Sequence, residues 1–142
     1  MPVFWVSLIL VVVSNVLYHV GQKSVPGGAH PILSVLVSYV VALAATLLLV
    51  PFFPLKGPLL PAIKALKWPS VLVGISIVGI EVGFLLAYRA GWRIGLTSTV
   101  VAAALAVLLI PMGIAFYGER LTGANVAGIL LCVVGLALVA QR

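Results

Sequence analysis

Residues 70–90 read SVLVGISIVGIEVGFLLAYRA, and Glu81 carries the one charge in this stretch before Arg89 near its end. A helix rises about 1.5 Å per residue, so about twenty residues cover the roughly 30 Å of a hydrocarbon core. The stretch therefore predicts a transmembrane helix with a carboxyl group close to the membrane midplane. A carboxylate there costs about 3 kcal/mol on insertion scales and more in simulations. Such a group generally faces a bundle interior or a wet cavity and takes part in transport. A plainer reading also fits: a protonated glutamic acid that only hydrogen-bonds a neighbouring helix.

Composition extends this reading to the whole chain. The sequence has 142 residues, 64% hydrophobic and 7% charged, against about 25% charged in soluble domains. A water-soluble core cannot absorb so much apolar surface, which implies an integral membrane protein built as one compact all-α bundle. The formal net charge of +6 lies in loops and chain ends and suits anionic lipid headgroups. No basic face exists outside the apolar runs, which argues against nucleic acid as a partner. Cys132 is the sole cysteine, so no intrachain disulfide is available. One cysteine and two histidines at unrelated spacings predict no metal site, and no nucleotide-binding loop or nucleophile motif is visible. No cofactor and no enzymatic activity are expected.

Five spans are predicted, over about 3–20, 32–53, 70–90, 96–117 and 123–140. The first lacks the basic start and small-residue cleavage site of a signal peptide and is expected to be retained. Asn15, Tyr18, His19 and Gln22 recur on it at helical spacing, giving one polar face. That face fits a cavity lining and fits equally a helix–helix seam joined by side-chain hydrogen bonds. The second span carries Ser34, Ser38, Ala42, Ala45 and Thr46 as a small-residue stripe, and Pro51 and Pro54 end it. The connection that follows alternates Lys56, Lys64 and Lys67 with apolar residues, and Pro61 is placed to open a short surface helix.

On the third span Gly74, Glu81 and Tyr88 are seven residues apart, with Phe84 between the last two. Helical spacing gathers a carboxyl and two rings on one face, a combination suited to an organic cation. Phe84 and Tyr88 serve equally well as packing or interfacial aromatics. Gly79 and Gly83 bracket Glu81 and allow close approach of a neighbouring helix. The fourth span opens with Thr97, Ser98 and Thr99 and is interrupted by Pro111, read as a hinge or as a static kink. Thr122 is placed to cap the fifth span, where Gly128 and Gly135 share one face suited to helix association.

Five spans in this order, with Gly118, Glu119, Arg120, Leu121 and Thr122 before a span bearing Gly128 and Gly135, resemble the EamA-like domain of the drug/metabolite transporter superfamily. The likeness covers nearly the whole chain, and Pro111 falls where that family often has a proline. Typical members carry two such domains and ten spans, so this chain looks like the half-size, five-span branch. The small multidrug resistance proteins are a distant four-span relative, with a glutamate followed eight residues on by a lysine in their first helix. Here Asn15 and Lys23 hold that spacing, so their coupling carboxylate has no counterpart there. In the ten-span relatives the first, third and fourth helices of each half line the path. The resemblance thus implies that Asn15, His19, Glu81, Tyr88 and the start of the fourth span, Thr97 and Ser98, lie near substrate. The face readings add Tyr18 and Phe84. Gly128 and Gly135 look like the glycine pair of the small relatives' dimer contact.

The implied function is secondary transport of a small organic solute (an amino acid, amine, metabolite or drug), outward and in exchange for protons at Glu81, in the plasma (inner) membrane. A facilitator or lipid-linked-sugar flippase, with Glu81 as a binding residue only, is the alternative within transport. A non-transporting assembly subunit is the alternative outside it. The basic residues divide evenly about five spans: Lys56, Lys64, Lys67 and Arg120 on the N-terminal side, and Lys23, Arg89, Arg93 and Arg142 on the other, 4 against 4 of the 8 in the chain. Lysine and arginine near span ends set insertion direction. An even split predicts insertion both ways and an antiparallel homodimer equivalent to a ten-helix inverted repeat.

Overall fold

The computed structural model describes residues 2–54 and 57–140, and the expectations placed on Lys56 and Arg142 lie outside them. The chain is all helical, with 84% helix and no strand among the described residues. It divides into two compact units, Met1–Ala90 and Gly91–Arg142. Four stretches, Val3–Ser24, Pro31–Phe52, Trp68–Arg89 and Ile94–Tyr117, are long and apolar enough to cross a membrane, and Gly123–Gly135 is a shorter apolar helix. The protein is therefore a multi-pass membrane protein.

The first unit contains α1 (Pro2–Ser24), α2 (Pro31–Leu49), a 3-10 turn (Val50–Phe52), α3 (Leu59–Ala65) and α4 (Trp68–Arg89). Prolines punctuate it. Pro31 occupies the first position of α2, where its missing N–H leaves no hydrogen bond unmade. Pro51 cannot donate to the helical ladder, so regular α structure stops at Leu49 and tightens into the 3-10 turn before the expected end of the span. Pro69 lies in the first turn of α4, which extends that span back to Trp68. The connection expected around Pro61 does contain a short helix, α3. On α2 the hydroxyls of Ser34, Ser38 and Thr46 donate back to the carbonyls of His30, Ser34 and Ala42 at 3.2, 3.1 and 2.7 Å. Each is thus satisfied inside its own helix, which suits an apolar solvent.

Both α1 and α2 pack on α4. Burial runs opposite to that of a water-soluble domain. Val35, Leu85 and Tyr88 are buried together with the polar His19, Gln22 and Thr97, while residues such as Val12, Leu33, Val37 and Ile75 point outward. Outward apolar side chains are what a lipid environment solvates. Among the described residues of the single chain no helix approaches Gly79 or Gly83 closely, since a Cβ built at either meets nothing within 4 Å.

The second unit is a pair of packed helices, α5 (Ile94–Tyr117) and α6 (Gly123–Ala140). Helix α5 continues through Pro111, which cannot donate to the carbonyl one turn before it. The helix ends at Gly118 in the left-handed region (φ 64°), a conformation that costs an ordinary residue about 1–2 kcal/mol. The chain then folds back: the Glu119 N–H donates to the Gly113 carbonyl at 3.1 Å. The Glu119 side chain lies over the buried Gly113, so that a Cβ built there would come within 2.9 Å of Glu119 Cδ. Thr122 caps α6 as expected, its Oγ1 accepting the Asn125 N–H at 3.3 Å.

Candidate functional site

The polar face of α1 and the Glu81 face of α4 meet along one seam of the first unit. Residues 18, 19, 22 and 23 occupy successive turns of α1, and residues 81, 84, 85 and 88 do the same on α4, so each set lies on one side of its helix. Gln22 Nε2 donates to Glu81 Oε2 across the seam. An amide matched to a carboxyl is a neutral way to satisfy an acid away from water, and it brings no second charge into the span. The Tyr18 hydroxyl reaches the Ile80 carbonyl at 3.4 Å, one residue before Glu81.

Above this pair the aromatic residues assemble. His19 and Phe84 meet edge to face at 4.7 Å between ring centroids, Tyr18 meets Phe84 at 5.7 Å, and Phe84 stacks on Tyr88 at 6.1 Å. Each such pair contributes about 0.5–1.5 kcal/mol beyond burial. His19 Nδ1 and the Tyr88 hydroxyl are hydrogen-bonded at 2.8 Å, which satisfies both polar ends inside the seam. Leu85, 1% exposed, fills the space beside them.

The seam closes at the C-terminal ends of both helices. Lys23 Nζ donates to the Tyr88 carbonyl at 3.3 Å, and its ammonium lies 5.6 Å from the centre of the Tyr88 ring. A cation at the carbonyl end of a helix is stabilised by the exposed acceptors and by the dipole. Arg89 Nη2 donates to the carbonyls of Ala29 at 2.6 Å and Pro26 at 3.4 Å, tying the turn between α1 and α2 to the end of α4. Chemically, the seam presents one ionisable carboxyl with an amide partner and four aromatic rings within a few turns. It suits a proton or a small organic cation. Among the described residues no three histidine, cysteine or acidic side chains come together as a metal site.

Of the residues expected near substrate, Tyr18, His19, Glu81, Phe84 and Tyr88 share this seam. Asn15 lies one turn earlier on the same face of α1 and is exposed. Thr97 and Ser98 belong to the second unit, where their hydroxyls donate to the Arg93 and Ile94 carbonyls at 2.9 Å each. Gly128 and Gly135 have open space around them, with nothing within 4 Å of a built Cβ. Sequence reasoning placed Gln22 on the polar face of α1 without assigning it to Glu81. The signal was present, because Asn15, Tyr18, His19 and Gln22 form one helical row. The interhelical roles of Lys23 and Arg89 had no signal, since backbone acceptors are invisible in a sequence.

Comparison with curated proteins and with solved structures finds no match. A sequence model of one family, described as the EamA-like transporter family, aligns with residues 3–141. That alignment takes in the polar seam, the Gly118–Thr122 turn and every apolar helix. The members of this family are membrane transporters of small solutes rather than enzymes. The chain belongs to the EamA-like transporter family.

Proposed function

We propose that the protein is a secondary transporter that exchanges protons at Glu81 for a small organic solute, exporting it across the plasma (inner) membrane. The observation that carries this reading is the Glu81 carboxyl within an apolar span, bonded to the amide of Gln22 and followed along α4 by Phe84 and Tyr88. An intramembrane carboxyl retained at a cost of several kcal/mol is the usual mark of an ion or solute route. The rings beside it favour a solute with a positive charge, an amine or a quaternary ammonium. The working form is an antiparallel homodimer, with the five helices of each chain as spans, Gly128 and Gly135 at the contact and Pro111 as a hinge. The even division of basic residues supports it. Within the first unit, access to Glu81 is completed by Asn15 on α1.

The test is uptake into liposomes holding the purified chain under an imposed pH gradient, against amino acids, amines and quaternary cations. Glu81→Gln keeps size and one acceptor, so it should fold and should lose gradient-driven uptake, on the order of a hundredfold. Transport by Glu81→Gln with unchanged pH dependence would remove the coupling role. A facilitator or flippase, in which Glu81 only binds, draws support from the Gln22 bond, which satisfies the carboxyl without a proton cycle. It predicts uptake indifferent to the gradient. For the dimer, reporters fused to the C-terminus, one active inside the cell and one outside, should both work at comparable levels. A single active reporter would exclude two-way insertion.

A further inference from the structure

We propose that Tyr39 is a positioning residue for Glu81, whose hydroxyl supplies a hydrogen bond to the carboxylate when Glu81 has given up its proton. This inference rests on the reading of Glu81 as a proton-exchanging group. Tyr39 stands on α2, which packs on α4. Its hydroxyl oxygen is shielded from solvent and has no hydrogen-bond partner among the described residues. Folded proteins rarely leave a buried polar atom unmatched, because the lost hydration is not returned. A phenylalanine at this position would avoid that cost, so the hydroxyl calls for a use.

The surroundings narrow the use. The ionisable or charged groups that face Glu81 or lie along its seam are Tyr18, His19 and Lys23 from α1, Tyr39 from α2, and Tyr88 and Arg89 from α4 itself. Tyr18 donates to the Ile80 carbonyl. His19 and Tyr88 are bonded to each other, and Lys23 donates to the Tyr88 carbonyl at the helix end. Arg89 Nη2 is turned to the Ala29 and Pro26 carbonyls, while the Tyr39 hydroxyl remains unbonded. Tyr39 follows Ala29 by ten residues and Glu81 precedes Arg89 by eight, so the Arg89–Ala29 bond sets Tyr39 and Glu81 at nearly the same depth on two packed helices. A protonated carboxyl is both donor and acceptor and is content with one amide. An ionised carboxylate only accepts, at about four lone-pair sites, and in apolar surroundings it needs every donor within reach. Gln22 supplies one. A change of the Glu81 side-chain rotamer toward α2 lets Tyr39 supply another, so that loss of the proton draws α2 and α4 together.

The sequence makes the test clean. The chain has two acidic side chains, Glu81 and Glu119, so its protonated-carboxyl infrared band is simple. The full chain is reconstituted in vesicles of phosphatidylethanolamine and phosphatidylglycerol, and the band is followed as pH is varied. Subtracting the Glu81→Gln spectrum assigns the Glu81 component. In Tyr39→Phe, which keeps the ring and the packing, the midpoint of the Glu81 titration should move to higher pH by about one unit, the range for loss of a donor to the charged form. Tyr117→Phe, at the exposed end of α5, should leave it in place. A Tyr39→Phe midpoint within about two-tenths of a unit of the unaltered chain would overturn the role of Tyr39 and leave that of Glu81 standing. No Glu81 titration in the unaltered chain between about pH 5 and pH 9 would overturn both.

Discussion

The α1–α4 seam and the α5–α6 pair solve the same problem by different means. In the seam, side chains cross from helix to helix: Gln22 to Glu81, Tyr88 to His19, Tyr18 to the Ile80 carbonyl. In the α5–α6 pair the hydroxyls of Thr97 and Ser98 turn back into their own helix, and the polar devices sit in the turn, at Gly118, Glu119 and Thr122. In lipid, apolar surface gives little reason for two helices to associate, so polar bonds and close packing take that part. A seam held by exchangeable side-chain bonds can change partners when a proton or solute arrives. A pair joined through its turn can move as a unit without breaking anything. The bonds that run between helices thus lie in the first unit, and the polar bonds of the second lie within its helices and its turn.

Substitutions in the seam, in the turns and on α6 break or sharpen this contrast. The largest loss should come from the seam. Tyr88→Ala removes a buried ring, its stacking on Phe84 and the partner of His19, and should lower stability by about 3 kcal/mol or more in a micelle denaturation series. Tyr88→Phe should cost about 1–2 kcal/mol, the effect of leaving His19 Nδ1 unpaired. An equal cost for Tyr117→Ala, at an exposed site, would show that the seam has no special weight. Next is the turn: Gly118→Val should cost about 1–2 kcal/mol, because valine resists a positive φ. Then Arg89→Gln, which loses the guanidinium bonds to Ala29 and Pro26, should cost about 1 kcal/mol and speed proteolysis in the turn between α1 and α2. Thr122→Ala should cost somewhat less, roughly 0.5–1 kcal/mol, as for other caps. Smallest for the single chain is Gly128→Leu, since nothing lies within 4 Å of a Cβ built there. Crosslinking in lipid should nevertheless show a dimer weakened about tenfold, the effect of wedging a close backbone contact apart. A dimer unchanged by both Gly128→Leu and Gly135→Leu would place this face elsewhere.

What could be foreseen from sequence divides along physical lines. The helices were legible, because a run of apolar residues interrupted by proline or glycine has few other solutions in a membrane. The ends were less exact: α1 runs on to Ser24 past its expected end at about residue 20, Pro51 stopped α2 at Leu49, and Pro69 opened α4 at Trp68. The faces of α1 and α4 were also legible from periodicity, which is why Tyr18, His19, Glu81, Phe84 and Tyr88 emerge together. Pairing across the seam was not, because spacing along one helix carries no information on register with another. So Gln22 was found on the right face without its partner, and Lys23 and Arg89 found backbone carbonyls that no pattern announces. Gly79 and Gly83 misled for the same reason: a small residue permits close approach but does not cause it.

Lys23 and Arg89 both act at the end of the first unit where α1 and α4 terminate. The side-chain bonds and ring contacts named across the seam begin only at Tyr18, while α1 starts at Pro2. This is the geometry of a cantilever, with its named fastenings gathered toward one end. The lever arm from Tyr18 to Pro2 is about 24 Å at 1.5 Å per residue, so a tilt of about five degrees displaces the tip by about 2 Å. Glu81 sits beside the clamp, where the same tilt changes distances by only a fraction of an ångström. If Glu81 exchanges protons as proposed, a small shift at its bond to Gln22 corresponds to a movement several times larger at the start of α1.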